Sequence, residues 1–267
     1  CQAGTYCPRQ SGEPKKCAEG KYNDLPQQGS CSNCPAGYKC ENEGTDIPTL
    51  CPKGKVCLVG TTASTLLCPA GTFDPHGGLA LLRECRTCPP GKACVSEGLD
   101  DTVDCSAGFF CVRGSTSLTP TGDSYKNGQC TAGHYCPEGS SAPTPCQPGS
   151  FNVNEGSASA SACAQCTQGS YCDETAATAT TDLCYGGYFC EEGSTTPMSK
   201  PCTRGYSCEP GAYEETACKE GTYAPPLSDS CLDCPEGFYC AKTSPKYPEP
   251  TPCPKGKYCV VGVSTPT

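Results

Sequence analysis

The sequence predicts small disulfide-rich repeats: an elongated rod of irregular loops and short β-hairpins, with little helix and no single hydrophobic core. Three observations predict it. Cysteine supplies 30 of the 267 residues, above the roughly 8–10% share that marks a disulfide scaffold. Leu, Ile, Val and Phe together number only 29, and Trp is absent, so the side chains that fill a globular core of this length are missing. A short motif, Cys-x2-Gly-x2-Cys, recurs eleven times, and self-similarity of this kind marks a repeat architecture. With 31 Gly and 27 Pro, the rest of the composition would read as disorder if the cysteines were ignored.

The motif accounts for the hairpins. Copies such as Cys34-Pro-Ala-Gly-Tyr-Lys-Cys40 and Cys234-Pro-Glu-Gly-Phe-Tyr-Cys240 place Gly where a β-turn needs a positive φ, followed by an extended piece. Four further copies begin at Cys17, Cys68, Cys146 and Cys218 and read Cys-x2-Gly-x-aromatic, ending on Tyr22, Phe73, Phe151 and Tyr223. Of the 20 Tyr and Phe residues, 16 fall one or two positions after a motif glycine. Each ring is expected to cover the disulfide of its own turn, since small disulfide domains have little other apolar cover. The competing reading is a row of exposed rings that binds a ligand.

A longer period overlies the motif. Six-cysteine units of about 50 residues occupy 1–50, 51–104, 130–183 and 202–252. Three additional Cys-x5-Cys pairs, Cys105/Cys111, Cys184/Cys190 and Cys253/Cys259, mark truncated repeats at 105–129 and 184–201 and the start of a further repeat at 253–267. Spacing alone does not fix the pairing. One scheme closes simple loops at Cys17–Cys31, Cys68–Cys85, Cys146–Cys163 and Cys218–Cys231. It then interleaves Cys34–Cys51 with Cys40–Cys57, Cys88–Cys105 with Cys94–Cys111, Cys166–Cys184 with Cys172–Cys190, and Cys234–Cys253 with Cys240–Cys259. Cys1–Cys7, Cys130–Cys136 and Cys202–Cys208 complete it. Another scheme links neighbours across the gaps, as in Cys40–Cys51 and Cys57–Cys68.

Charge and compartment narrow the function. The balance is 19 basic against 28 acidic side chains, a net of −9, which a nucleic-acid backbone would repel. The longest apolar stretch, near Leu79 to Leu82, is far shorter than the roughly 20 residues of a membrane helix. An even cysteine count favours secretion with every thiol paired, and a chain opening on Cys1 reads as a mature product or a segment of something longer. Hydroxyl-rich loops at Gly60 to Thr65, Gly114 to Thr121, Gly139 to Pro145, Gly193 to Pro197 and Gly262 to Thr267 are solvated loops or carriers of O-glycans. No Asn-x-Ser/Thr sequon occurs.

Chemistry-bearing constellations are sparse, and the expectation is that the chain is no enzyme. His76 and His134 are the only histidines, 58 positions apart. No Gly-x-Ser-x-Gly elbow, phosphate-binding loop or dinucleotide fingerprint occurs. Four Cys-x2-Cys pairs, Cys31/Cys34, Cys85/Cys88, Cys163/Cys166 and Cys231/Cys234, raise zinc, but successive pairs stand more than 50 residues apart, against the short spacing of zinc ribbons. Asp100, Asp101 and Asp104 cluster without a calcium-loop pattern. No electropositive setting marks a redox-active pair. The expected cofactor and metal are none.

The run Cys130-Thr-Ala-Gly-His-Tyr-Cys136-Pro-Glu-Gly-Ser-Ser-Ala-Pro-Thr-Pro-Cys146-Gln-Pro-Gly-Ser-Phe resembles the ephrin-receptor-like cysteine-rich repeat, similar in style to epidermal-growth-factor-like and tumour-necrosis-factor-receptor modules. The resemblance extends over nearly the whole chain. It implies a large secreted or surface-anchored protein of the kind abundant in ciliates, algae, oomycetes and related protists, some forming surface coats or flagellar hairs (mastigonemes). It implies no catalytic residues. The unequal units depart from a uniform array and put strict regularity in doubt. The leading expectation is a structural rod segment of an extracellular filament or surface coat, partnered by other copies of itself or sister filament proteins. The alternative is the ectodomain stalk of a receptor or adhesin, with Val112 to Gln129 and Tyr125 as the candidate binding loop. A protease inhibitor or toxin fits an array of this length poorly.

Overall fold

A computed structural model of the chain describes residues 1–63, 65–122, 127–241 and 249–267. Among them are fourteen two-stranded antiparallel hairpins and two single turns of 3-10 helix, Leu82–Glu84 and Ala160–Ala162. The fold class is that of small disulfide-rich repeats without a common core. Contacts divide it into two compact units, Cys1–Cys130 with Cys136–Pro143, and Thr131–Tyr135 with Thr144–Thr267.

Fifteen repeats follow one another, opening at Cys1, Cys17, Cys34, Cys51, Cys68, Cys88, Cys105, Cys130, Cys146, Cys166, Cys184, Cys202, Cys218, Cys234 and Cys253; each six-cysteine stretch comprises three. The repeat at 34–50 shows the local logic. Tyr38 N–H donates to Pro35 O at 3.2 Å, closing a turn, and Gly37 takes φ +83° at its third position, where a type II turn needs positive φ. The chain leaves the turn as Tyr38–Lys39, which pairs with Thr49–Leu50. Strands are two residues long except Phe109–Cys111 and Asn127–Gln129, which have three. Hairpins this short are not stable alone.

The bridges supply part of what the strands lack. All thirty cysteines are paired, and every bridge lies inside one repeat. The four simple loops Cys17–Cys31, Cys68–Cys85, Cys146–Cys163 and Cys218–Cys231 are present. So are Cys1–Cys7, Cys130–Cys136 and Cys202–Cys208. The interleaved bridges are not. In place of Cys34–Cys51 and Cys40–Cys57 the chain forms Cys34–Cys40 and Cys51–Cys57. In place of Cys88–Cys105 and Cys94–Cys111 it forms Cys88–Cys94 and Cys105–Cys111. Cys166–Cys184 and Cys172–Cys190 give way to Cys166–Cys172 and Cys184–Cys190. Cys234–Cys253 and Cys240–Cys259 give way to Cys234–Cys240 and Cys253–Cys259. The glycine turn is the reason. It folds Cys34 back to a Cα separation of 6.0 Å from Cys40, within the range a disulfide spans, so each half-cystine has its partner inside its own turn.

Cysteine also makes most of the core. Beyond cysteine, the apolar side chains buried among those described are Val56, Ala93, Phe110, Tyr171 and Ala224, with Pro120. Ala93, Phe110 and Tyr171 anchor three small separate clusters. Phe109 packs on Ala93, Cys105 and Cys111, whereas Phe110 packs on Cys130 and Cys136, and Tyr171 on Cys184 and Cys190. Phe109 therefore covers the bridge of its own turn, while Phe110 and Tyr171 cover the bridge of the following repeat.

Candidate functional site

The feature repeated most faithfully is the junction between consecutive repeats, and it is built from backbone. At the junction of 17–33 with 34–50, Gly20 N–H donates to Cys40 O at 2.9 Å and Cys34 N–H to Gly20 O at 2.8 Å. Gly44 N–H donates to Cys17 O at 2.7 Å and Asn23 N–H to Thr45 O at 3.1 Å. The next junction repeats the set with Gly37, Cys51, Gly60 and Cys40 as donors. In the second unit the equivalents include Gly187 to Cys208 O at 2.9 Å and Leu227 to Cys202 O at 3.0 Å. Buried backbone groups need partners, and here the neighbouring repeat provides them.

A second contact reaches one repeat further. A Cβ on Gly20 would lie 2.5 Å from Gly60 O, one on Gly37 2.5 Å from Gly78 O, and one on Gly169 2.3 Å from Gly211 O. These motif glycines are thus required twice, by their positive φ and by the carbonyl packed on them, whereas Gly237 and Gly256 are held to glycine by φ alone. The facing residue also has positive φ but need not be glycine: Ala176 faces Gly133 and Leu227 faces Gly187, both with side chains.

Four repeats lack the second motif cysteine, and the position is filled by Asn23, Asp74, Asn152 and Ala224, all buried. Asn23 Nδ2 donates to Thr5 O at 2.7 Å. Asn152 Nδ2 donates to His134 O and to Ser157 Oγ, both at 2.8 Å, and Oδ1 accepts Asn154 N–H. Asp74 accepts His76 N–H and Gly77 N–H on its two carboxylate oxygens. Sequence reading passed over these residues. The signal was there: they stand six residues after Cys17, Cys68 and Cys146, where eleven other repeats have cysteine.

The residues singled out for chemistry are engaged locally. His76 N–H donates to Asp74 Oδ1, and His134 Nδ1 lies 3.1 Å from Ala132 O. Asp104 pairs with Lys92 at 2.7 Å, and Asp101 accepts Thr102 N–H. Every cysteine of the Cys-x2-Cys pairs is in a disulfide, and no group of three or more metal-ligating side chains converges among the described residues. Loop hydroxyls close turns: Thr61 to Leu58 O, Ser140 to Pro137 O and Ser194 to Glu191 O. In the Val112 to Gln129 stretch, Val112 N–H donates to Asn127 Oδ1 at 2.6 Å and Leu118 packs on the first cluster; Tyr125 lies outside the described residues, as does Ser64 of the Gly60 to Thr65 loop. Burial against the next bridge pushes the Tyr171 phenol above its ordinary value, and Asp173, Tyr185 and Asp182 add to the shift.

Compared with known proteins, the chain matches no family model and no curated protein. No helix among the described residues is long and apolar enough to cross a membrane. Thirty bridged cysteines belong to an oxidising environment such as the cell exterior.

Proposed function

We propose that this chain is a structural segment of an extracellular filament or surface coat, of the flagellar-hair type that its ephrin-receptor-like motif suggests. It works by holding shape rather than by catalysis, and its partners are other copies of itself or sister filament proteins, with O-glycans on the hydroxyl-rich loops. The observation that carries the reading is the junction: nearly every motif element joins one repeat to the next, and every motif cysteine is held in a bridge. Electron microscopy of the native material tests it. Assembled fibres or a surface layer containing the chain are expected. Isolated molecules that bind a soluble partner through one repeat would instead make it a receptor or adhesin stalk.

A further inference from the structure

The pairing divides the repeats into two mechanical kinds. In the repeats opening at Cys17, Cys68, Cys146 and Cys218 the bridge spans 14, 17, 17 and 13 residue steps, and a Cys-x2-Cys step leads straight into the next repeat. Three peptide steps, about 10 Å of chain, are all such a repeat can release. In the other eleven the bridge spans six steps. The segment after it is free of crosslinks: Cys40 to Cys51 is eleven steps, about 37 Å when fully extended. No bridge crosses a junction, so tension there is resisted by non-covalent contacts alone: the four backbone hydrogen bonds, the glycine packing and, at particular junctions, a side chain that reaches the neighbouring repeat, as Asn23, Asn152, Phe110 and Tyr171 do.

We infer that the array is a stepped spring with a built-in stop. Under tension the six-step repeats yield first, each paying out the loop between its bridge and the next repeat. The four long-bridged repeats stay folded and hold the register from which neighbours re-form. The stop is covalent. With all bridges intact the taut chain reaches about 560 Å, and reduction adds about 350 Å, taking about 3.4 Å per step and about 6 Å per bridge. Interleaved pairing would have held back about 100 Å more than the local pairing does.

The inference deepens the structural reading and rests on it only for the presence of tension in use. Single-molecule stretching of the whole chain between its ends tests it. Several small, reversible opening events are expected, none longer than one inter-bridge loop, followed by a steep rise near the intact limit. Replacing Cys17 and Cys31 together by Ser should lengthen the taut chain by about 40 Å, and replacing Cys34 and Cys40 by about 15 Å. These lengths are read from the stretched state, so they stand even where the variant repeat does not fold. A single cooperative rupture of a whole unit, or equal lengthening by the two variants, overturns the spring. A chain that ruptures in one event yet assembles into fibres loses this inference and keeps the structural role.

Discussion

Gly20 and Gly60 face each other across two repeats, both with positive φ, +76° and +77°, yet alanine should affect them very differently. At Gly60 a Cβ would lie 3.9 Å from Gly20 O, an ordinary contact. The cost is the left-handed strain alone, about 1–2 kcal/mol, partly offset by about 0.4–1 kcal/mol from the stiffened unfolded chain. At Gly20 the Cβ would meet Gly60 O at 2.5 Å and the Thr62 methyl at 3.2 Å. Relief requires the backbones to part by most of an ångström. That strains three bonds, Gly20 to Cys40 O, Cys34 to Gly20 O and Gly60 to Cys34 O, each worth about 1 kcal/mol. Gly20→Ala should therefore cost about 4 kcal/mol against about 1 kcal/mol for Gly60→Ala. The assay is hydrogen exchange at the Cys34 and Gly60 amides with the bridges intact. Protection should fall about a thousandfold in the first variant and about fivefold in the second. Equal losses would refute the idea that carbonyl packing, rather than φ alone, fixes the motif glycine.

Other consequences follow from the same geometry. Cleaving the unreduced protein after Glu41 or Glu43, both exposed between Cys40 and Cys51, should separate the Cys34–Cys40 and Cys51–Cys57 rings by mass; products that part only after reduction would restore the interleaved scheme. Asn152→Ala removes hydrogen bonds to His134 O, Ser157 and Asn154 and should cost about 2–3 kcal/mol in local opening, read as faster exchange at Gly133; Ala224 at the equivalent position shows that the smaller side chain fits. Tyr171 should give a late component in the phenolate absorbance, above the ordinary tyrosine range, and Tyr171→Phe should remove it. Because its raised value favours the neutral form in the folded state, this stabilisation is complete below the ordinary tyrosine range and is lost as pH climbs through the folded value.

Much of the fold was legible because the motif is local. Cys-x2-Gly-x2-Cys states its turn, its glycine conformation and the strand that follows within seven residues, and the structure builds it so. The interleaved pairing was misread for the converse reason. Gap lengths record only that two cysteines are separable in sequence, whereas the choice of partner depends on which Cα atoms the turn brings within bridging distance. The rings were half legible. Phe109 and Phe110 are adjacent in sequence but point to opposite sides of a strand, so one serves its own bridge and the other its neighbour's. The buried Asn23, Asp74 and Asn152 were hidden because polar residues in loops ordinarily face water; only alignment of the fifteen repeats on their first cysteine exposes them as stand-ins for a half-cystine.

Unequal repeat lengths need not spoil regularity, because the variation falls where the junction does not reach. The repeat opening at Cys105 is followed by the longest gap in the chain, 18 residues between Cys111 and Cys130. Even so, Cys130 N–H still meets Gly108 O at 2.9 Å and Gly108 N–H still meets Cys136 O at 2.8 Å. These are the same bonds, at the same lengths, as in the 17-residue repeat beginning at Cys34. Extra residues leave between the bridge and the returning strand, and only the returning strand's register matters to the next repeat. Bridges confined within repeats make this possible: each ring fixes its own turn, worth about 2–3 kcal/mol for a loop this small, without constraining the distance to its neighbour. A bridge spanning the junction would have tied loop length to repeat spacing and made an insertion such as 112–129 a break in the array.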